Sequence, residues 1–337
     1  MLNSHLSTLN FLAVNDIAIL IVTYNSAGEI GPCLRSVFAE QKSINQQVIV
    51  LDNDSKDDTV ELIREEFPQV ELLVSKENLG FARGVNKAAT YADAKFMLLL
   101  NPDTKVLDHA IDHAFEFAVA QQREVIVGGR GAKTDGSLEP SSCWGAPSLW
   151  SMLTFATGLS TAFCRSVFFN PESLGNWQRD TVRDVGFITG CFLLISTSLW
   201  KRLAGFDERF FMYCEDLDLA SRAREVGARV ISFPDARFTH DGGKSSATPV
   251  AKMILLYKAK ATFIRNHREG LSRVVALWCL NSGIWLRGAL AKMQETLGRG
   301  SDTLRWSELW DRRAEWERGY EMVRPARQTA LALADGT

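Results

Sequence analysis

Short apolar runs alternate with helical patterns over roughly the first 130 residues of the chain. Continuous apolar runs predict buried strands, and apolar residues three or four positions apart predict amphipathic helices. We expect strands at 17–22, 47–51, 70–74, 96–100 and 124–127, with helices at 29–41, 57–67, 81–94 and 107–121 between them. Apolar strands that alternate with helices indicate an α/β fold with a mostly parallel central sheet flanked by helices.

The pattern changes beyond residue 131. Gly, Pro, Ser and Trp are frequent in residues 132–184, which is typical of an insertion. We then expect a strand at 186–195, helices at 198–204 and 215–226, and a strand at 229–233 that ends at Pro234. The chain beyond residue 250 has a helical, basic pattern. The predicted division is an N-terminal extension (1–16), an α/β domain (17–250, with halves 17–130 and 131–250) and a C-terminal helical extension (251–337).

Charge and cysteine content narrow the class of protein. The chain has 38 basic and 40 acidic residues, so it lacks the basic surplus of a general nucleic-acid binder. Its six cysteines include no C-x-x-C pair, which argues against structural zinc and favours a reducing, cytoplasmic compartment. We find neither a signal-peptide pattern nor an uninterrupted apolar run of about 18 residues, so we expect no spanning helix.

Polar residues follow three of the predicted strands. They are Thr23, Tyr24 and Asn25 after the first strand, Asp52 and Asn53 after the second, and Asn101 and Asp103 after the fourth. Ligands bind α/β sheets at the carboxyl ends of the strands, where an aromatic ring can stack on a nucleobase and a carboxylate or amide can bind ribose. The alternative is that these residues only form tight turns. Their convergence on one rim favours binding.

A turn before the third helix offers further polar groups. Asn78, Arg83 and Asn86 can reach a phosphate or ribose near Gly80, while a solvated helix surface is the alternative for Arg83. No G-x-G-x-x-G follows the first strand and no G-x-x-x-x-G-K-[ST] occurs, which argues against dinucleotide and P-loop sites.

Carboxylates at two places in the sequence suggest chemistry. Asp103 can hold a divalent cation, because Mg²⁺ is bound by one or two carboxylates together with substrate phosphates. Glu215, Asp216 and Asp218 begin a predicted helix, where the helix dipole would stabilise them in any case. One of them can also be the general base that deprotonates an attacking hydroxyl. His240, which precedes a Gly-Gly-Lys-Ser run, is a candidate metal ligand or diphosphate contact, or a structural histidine.

These motifs together resemble glycosyltransferase family 2, and within it the rhamnosyltransferase-like branch. The matching segments are 19–25, 50–55, 77–82, 99–103, 205–211 and 215–219, with Gly190, His240, Gly243 and Ser245. The resemblance implies a GT-A fold, a nucleotide-diphosphate sugar donor, and Mg²⁺ or Mn²⁺ as cofactor. It also implies the roles of individual residues.

In that family pattern Asp103 matches the last Asp of a D-x-D metal motif and Asp216, next to Glu215, matches the catalytic base. The residues at nucleotide-binding positions are Thr23, Tyr24, Asn25, Asp52 and Asn53, with Asn78, Gly80, Phe81, Arg83 and Asn86 around the following turn. Asn101 departs from the family's usual Asp. An amide oxygen can still bind a metal, with one negative charge fewer.

The implied reaction is inverting transfer of a sugar to a hydroxyl of a glycan or lipid-linked glycan, with dTDP-rhamnose as the first candidate donor. UDP-hexosamine and UDP-galactofuranose remain alternative donors. A sugar nucleotidyltransferase would need a Gly-rich, basic loop after the first strand, and none is present. A non-catalytic nucleotide- or glycan-binding module is the third alternative, and the presence of both Asp103 and Asp216 argues against it.

The C-terminal region has an amphipathic pattern. Residues 302–323 carry Trp306, Trp310 and Trp316 among arginines, with an apolar face that includes Leu309 and Tyr320. Such a helix can lie on a membrane, here the inner face of the cell membrane, or it can pack on its own domain or on a second copy in a homo-oligomer.

Overall fold

A nine-stranded sheet forms the centre of the computed structural model, which describes residues 14–39, 44–240, 248–297 and 304–320. Two further short strands pair with each other at its side. The strands are β1 (Asn15–Thr23), β2 (Gln46–Asp52), β3 (Glu71–Val74), β4 (Ala94–Leu100), β5 (Thr104–Leu107), β6 (Val125–Ala132), β7 (Cys143–Trp144), β8 (Arg183–Asp184), β9 (Phe187–Ile188), β10 (Phe192–Ser196) and β11 (Arg229–His240).

Helices cover both faces of this sheet and continue beyond it. They are α1 (Ala27–Ala39), α2 (Thr59–Glu66), α3 (Gly80–Ala89), α4 (Ala110–Val119), α5 (Leu149–Ala156), α6 (Leu159–Ala162), α7 (Thr197–Arg202), α8 (Glu215–Glu225), α9 (Pro249–His267), α10 (Gly270–Thr296) and α11 (Leu304–Asp311). Short 3₁₀ turns lie at Pro140–Ser142, Pro171–Ser173 and Arg313–Glu315.

The strand order is β3-β2-β1-β4-β10-β6-β11-β5, with β8 paired to β11. Strands β1 to β4 run parallel, so the ends of β1, β2 and β4 meet at one edge. Strand β10 is antiparallel to β4 and pairs Phe192 with Leu100. The start of β10 therefore lies at the same edge as the end of β4.

Alternating side chains of the parallel strands fill two apolar layers. Leu20, Leu51 and Leu99 pack under α3, α7 and α8 on one face. Ile19, Val50 and Leu98 pack under α1, α2 and α4 on the other. Burial on both faces explains why these strands are apolar throughout. The predicted mostly parallel α/β sheet flanked by helices is confirmed.

Two strand predictions differ from the structure. The expected strand at 186–195 is broken into β9 and β10, because Thr189–Cys191 turn at the sheet edge, where the amide of Phe192 donates to the carbonyl of Thr189 (3.4 Å). The strand expected to end at Pro234 continues to His240. Its register against β6 shifts between Ser232 and Arg237, which accommodates a proline that has no N–H to donate. The four-residue β5, which was not predicted, pairs with this extension.

The C-terminal helices pack around a third apolar cluster. Trp316 and Leu309 are fully buried in it against α9 and α10, and the indole Nε1 of Trp316 donates to the carbonyl of Leu309 (2.9 Å). The apolar face predicted for residues 302–323 therefore packs on the protein itself, as far as residue 320. Residues 321–323 of that face lie outside the described residues.

Helix α10 is long and apolar enough, by length and composition, to cross a membrane. An 18-residue window within it has a mean hydropathy of 1.4, and 39% of that window is buried inside the protein. From the sequence we expected no spanning helix, because we found no uninterrupted apolar run of about 18 residues.

Candidate active site

A cavity of about 770 Å³ opens at the edge of the sheet where β1 and β4 end. Eight of the site residues predicted from the sequence line this cavity: Tyr24, Asn25, Phe81, Asn101, Asp103, Glu215, Asp216 and His240. The remaining predicted residues, Thr23, Asp52, Asn53, Asn78, Gly80, Arg83 and Asn86, do not line it. Residues that follow β1 and β4 thus face one cavity, as the strand pattern predicted, while the other predicted residues lie behind its wall or, for Arg83 and Asn86, in a separate pocket.

The end of β1 presents an aromatic ring to the cavity. Tyr24 is 43% exposed, which leaves its ring accessible for stacking. Asn25 adopts a left-handed conformation (φ 51°), and its Oδ1 accepts a hydrogen bond from the amide of Lys56 at 2.7 Å. The backbone amide of Asn25 donates to Oγ of Ser55 (2.8 Å). These bonds hold the loops after β1 and β2 together.

Thr23 and Asp52 lie buried behind this first layer. The hydroxyl of Thr23 donates to Oδ1 of Asp52 (3.1 Å), and the amide of Ser55 donates to Oδ2 (3.0 Å). Asp52 is only 1% exposed. In this structure its carboxylate therefore fixes the loop after β2, in agreement with the turn chemistry that the sequence left open.

Asn53 positions the turn at the start of α3. Its amide nitrogen donates to the carbonyl of Gly80 (2.9 Å), and its amide oxygen accepts from the amide of Leu79 (2.8 Å). Oδ1 of Asn78 accepts from the amide of Gly80 (2.9 Å). Gly80 has φ +78°, and a Cβ there would lie 2.4 Å from the carbonyl oxygen of Phe211. Only glycine fits this approach.

The same turn places Phe81 in the cavity wall. The amide of Phe81 donates to the carbonyl of Phe211 (2.7 Å), which joins the turn to the segment before α8. A Cβ on Gly190 would lie 2.7 Å from the Phe81 ring, so that glycine allows the ring to pack against the start of β10. Phe81 therefore lies where the turn before α3 meets the segment before α8.

Arg83 and Asn86 point away from the cavity. They line a separate pocket with Glu208, whose carboxylate lies 3.7 Å from Nε of Arg83. Both amide atoms of Asn86 bind the backbone of Phe206, each at 2.9 Å. Helix periodicity explains why Arg83 and Asn86 point elsewhere, because Ala82, Val85 and Ala88 occupy the side of α3 that packs on the sheet. A role for Arg83 or Asn86 in nucleotide binding stays a prediction.

Asp103 and His240 form a close pair in the cavity wall. Nε2 of His240 lies 3.3 Å from Oδ1 of Asp103, and both side chains are largely buried. Pairing of β11 with β5 sets His240 opposite Thr104, one residue from Asp103. Asn101, on the same turn, also lines the cavity. Residues 242–245, the Gly-Gly-Lys-Ser run that follows His240, lie outside the described residues.

This pair fits a divalent cation in its donor chemistry. A carboxylate oxygen and an imidazole nitrogen on one cavity wall offer two ligands, and substrate phosphates can complete the shell. Within the ranges that the structure describes, no group of three or more His, Cys, Asp and Glu side chains could hold a metal ion. A cation bound by Asp103 and His240 would therefore depend on phosphate oxygens of the substrate for the rest of its coordination.

A strained turn brings two acidic residues into the cavity at the start of α8. Tyr213 and Cys214 have φ angles of +71° and +63°, a conformation that non-glycine residues rarely adopt. Glu215 and Asp216 follow and are both buried in the cavity wall. Oδ1 of Asp216 accepts from the amide of Leu217 at 2.7 Å. Oε2 of Glu215 has no hydrogen-bond partner within the described ranges.

Burial changes the acidity of both carboxyls. It raises the pKa of Asp216 to about 7, against the opposing effect of backbone N–H groups at Leu217 and Gly190. Burial, and then the charge of Asp216, raise the pKa of Glu215 well above its usual value. Each of the two carboxyls therefore holds its proton to a higher pH than an exposed carboxyl would.

Asp218 differs from its two neighbours. It is fully buried, does not line the cavity, and binds Nε2 of His267 and Nε of Arg222, each at 2.7 Å. Its carboxylate is thus engaged in an internal network. The sequence offered three acidic residues on one helical turn, and the structure separates two that face the cavity from one that does not.

Sequence reasoning missed the far wall of the cavity. This wall includes Glu172 from the 132–184 insertion and Lys252, Leu256 and Lys260 from α9. A usable signal was present, because the three α9 residues recur every four positions and so share one helical face. A basic-apolar-basic stripe of this kind indicates a surface that meets something other than water or core.

The chain is similar in sequence to known glycosyltransferases. The family model "Glycosyl transferase family 2" matches residues 18–181. The N-acetylglucosaminyl-diphospho-decaprenol L-rhamnosyltransferase of Mycobacterium tuberculosis is 27% identical over 288 residues, which cover 81% of this chain and 91% of that protein. The rhamnosyltransferase WbbL of Escherichia coli K12 is 39% identical over 69 residues, 20% of this chain and 25% of WbbL.

A solved structure supports the fold. The mannosyltransferase PcManGT from Pyrobaculum calidifontis, in complex with GDP-Man and Mn²⁺, superposes with a TM-score of 0.54 over 89% of this chain and 85% of that one, at 17% identity. The GT-A-type fold expected from the motifs is confirmed. With the family model matching residues 18–181 and the rhamnosyltransferase aligned over 81% of the chain, the resemblance to glycosyltransferase family 2 is confirmed as well.

Proposed function

We propose that this glycosyltransferase is an inverting enzyme that moves a rhamnosyl group from dTDP-rhamnose to a hydroxyl of a lipid-linked glycan acceptor in cell-envelope polysaccharide synthesis. The observation that carries the proposal is the buried carboxyl of Asp216, with its pKa raised to about 7, in the same cavity as the Asp103–His240 pair. The named activity of the mycobacterial relative supports the choice of sugar and acceptor.

Asp216 is the proposed general base. Ionised, it takes the proton of the acceptor hydroxyl as that oxygen forms a bond to the anomeric carbon. The bond from the anomeric carbon to the nucleoside diphosphate breaks on the opposite face, which inverts the configuration. The neighbouring Glu215 is buried in the same wall, and burial raises its pKa, so it would donate a hydrogen bond to the acceptor when it carries its proton.

The donor is proposed to lie along the strand ends. Tyr24 would stack on the base, and Asn25 would line the nucleotide's path towards Asp103. Asp103, His240 and the amide oxygen of Asn101 would hold Mg²⁺ or Mn²⁺ with the donor's diphosphate. A divalent cation there supplies positive charge to the leaving diphosphate. Thr23, Asp52 and Asn53 support these loops from behind.

We propose residues 17–250 as the transferase domain, with residues 251–337 as a helical extension whose α9 contributes to the cavity. UDP-hexosamine and UDP-galactofuranose remain alternative donors, and a non-catalytic binding module is the alternative in another class.

We also propose that the enzyme contacts the inner face of the cell membrane through α10. The exposed residues of α10 from 271 to 290 are uncharged and mostly large and apolar, namely Leu271, Val274, Val275, Trp278, Trp285, Ala289 and Leu290. A helix face with tryptophans and no charge is suited to the interfacial region of a bilayer. This places the contact on α10 rather than on the packed face of α11.

Thermal unfolding with dTDP, UDP and GDP, each with and without Mn²⁺, tests the donor assignment. We expect the largest rise in Tm with dTDP, and we expect that rise to need Mn²⁺, because a ligand stabilises the state that binds it. A larger Mn²⁺-dependent shift with UDP would replace rhamnose by a UDP-sugar. If no nucleotide raises the Tm, the result would favour the non-catalytic alternative and contradict the proposed donor site.

A further inference from the structure

The part of the cavity lining that comes from α5, α9 and α10 is both basic and apolar. On α9, Lys252, Leu256 and Lys260 line it at intervals of four residues. Phe155 of α5 and Leu280 of α10 add apolar surface on the same side. No arginine is among the described residues that line the cavity, so these two lysines are its strong cations.

Lys260 keeps its positive charge although it is surrounded by protein. Burial lowers the pKa of Lys260, but the charge of Glu172 and the nearby Tyr257 and Cys214 raise it, and the net direction is upwards. Its ammonium lies 5.7 Å from the centre of the Tyr257 ring. A charged lysine in a largely apolar compartment is suited to bind an anion that enters with an apolar group.

The position of Lys260 relates it to the acceptor rather than to the donor. Its charge reaches Cys214, two residues before Asp216, and lowers the thiol pKa against the dominant effect of burial. Asp103, by contrast, lies in the turn between β4 and β5, next to His240 at the end of β11. An acceptor with its hydroxyl at Asp216 would therefore extend along α9, towards Lys260 and then Lys252.

We propose that Lys260 and Lys252 bind the phosphate groups of the acceptor, and that Leu256, Phe155 and Leu280 contact the first part of its lipid chain. The acceptor class is then a sugar joined through phosphate to an apolar chain. This inference rests on the proposed function, since it assumes that the acceptor hydroxyl is held at Asp216. The competing explanation is that Lys260 only balances the charge of Glu172.

Equilibrium binding of two probes to the full-length protein separates these explanations. Both probes carry the same N-acetylglucosamine and the same farnesyl chain, joined through diphosphate in one and through an ether oxygen in the other. Measurements in EDTA suppress metal-assisted binding at the donor rim. We expect the wild type to bind the diphosphate probe at least about tenfold more tightly, as charge-assisted hydrogen bonds to a phosphate would give.

Variants then assign that preference to the two lysines. Lys260→Met and Lys252→Met should each reduce the preference, and the double variant should remove it, while binding of the ether probe persists and reports that the protein is folded. Lys260→Arg should retain it. Lys258→Met is the matched control, because Lys258 lies on the same helix over the ring of Tyr320 and does not line the cavity.

Two results would overturn the inference. One is equal affinity of the wild type for both probes, and the other is an equal loss of both probes in Lys260→Met, which would mark a structural role. A separate assay of rhamnosyl transfer by the wild type keeps the two proposals apart. Failure of transfer with the phosphate preference intact removes the proposed function and leaves the acceptor subsite.

Discussion

Nε2 of His267 lies 2.7 Å from Oδ1 of Asp218 and joins α9 to the first turn of α8, which carries Asp216. Arg222 binds the other carboxylate oxygen and also donates to the carbonyls of Leu203 (2.6 Å) and Gly205 (2.9 Å). The network therefore holds the start of α8 from two directions. It fixes the catalytic turn from behind without entering the cavity.

Asp218→Asn should lower the free energy of unfolding by about 3 kcal/mol at neutral pH, because it leaves Arg222 without its buried partner. Burial raises the pKa of Asp218, but His267 and Arg222 outweigh it and the net shift is downwards. The stabilisation is therefore present above the unfolded-state pKa and is lost as the pH falls through the lower folded-state pKa.

Urea unfolding over a range of pH measures this difference. Asp184→Asn is the control, because Asp184 pairs with Arg229 on the exposed surface, where an ion pair contributes at most about 1 kcal/mol. Equal losses in the two variants would contradict a special role for the Asp218 network.

Asp216→Asn should reduce kcat by about 10²–10⁴-fold, the usual contribution of a general base, and leave the nucleotide-induced rise in Tm nearly unchanged. The amide has the same shape and cannot accept the acceptor's proton. Steady-state transfer and thermal unfolding, measured on the same preparation, provide both readouts. Asp218→Asn, two residues along, is the comparison that separates loss of the base from displacement of the turn. Turnover by Asp216→Asn at the wild-type rate would rule Asp216 out as the base.

The rate of transfer should rise with pH through about 7. Asp216 must be ionised to accept a proton, and its pKa is raised to about 7 by burial. The contribution of Asp216 to stability changes with pH in the opposite direction, and falls as the pH rises. A carboxyl whose folded pKa is raised contributes stability that is present below its unfolded pKa and lost as the pH rises through the folded value.

A pH profile of kcat, with the Tm recorded at each pH, therefore tests Asp216 in two ways. Asp216→Asn should become more stable relative to the wild type as the pH increases through this range. A flat rate profile across neutral pH would contradict the assignment.

Asp103→Asn and His240→Ala should each weaken the Mn²⁺-dependent part of the nucleotide-induced rise in Tm, because each removes one of two neighbouring ligands. The metal-independent part should remain, since Tyr24 is unchanged. A titration of Mn²⁺ at fixed nucleotide measures the change. Asp108→Asn is the control, as Asp108 is exposed and pairs with Arg237 away from the cavity. Unaltered Mn²⁺ dependence in both site variants would place the metal elsewhere.

Trp278→Glu combined with Trp285→Glu should greatly reduce binding to vesicles of phosphatidylglycerol and phosphatidylethanolamine. The two rings are 62% and 53% exposed, and a charge there opposes insertion into the bilayer interface. Vesicle flotation measures the bound fraction. Tyr91→Glu is the control, because Tyr91 is an aromatic residue that is 47% exposed and lies beside the amino-terminal end of β2 instead of on α10. Wild-type protein that fails to float would contradict the membrane proposal.

The sequence predicted the rim of the site because its cause is local. Continuous apolar strands force a parallel sheet, and the residues that follow them, such as Tyr24 and Asp103, then lie at one edge. Asn53 and Asp218 could not be assigned in this way. Their partners, Gly80 and His267, are 27 and 49 residues away in sequence, and only the folded chain brings them together.

His240 and the far wall of the cavity show the same limit of local pattern. The extension of β11 past Pro234, which delivers His240, depends on a shifted pairing with β6 that no local pattern shows. Lys252 and Lys260 lie on a face of α9 that lines a cavity instead of facing bulk water. The spacing of the two lysines is visible in the sequence, but the surface that this face meets is not.

The most direct test of the account is the product formed by the wild-type protein from dTDP-rhamnose and a diphosphate-linked, lipid-bearing N-acetylglucosamine, analysed by mass spectrometry and NMR. The account predicts one added rhamnosyl group, linked with the anomeric configuration opposite to that of the donor, and no product from Asp216→Asn. Retained configuration would contradict direct attack assisted by Asp216. No product from dTDP-rhamnose or from either UDP-sugar would contradict the proposed transfer itself.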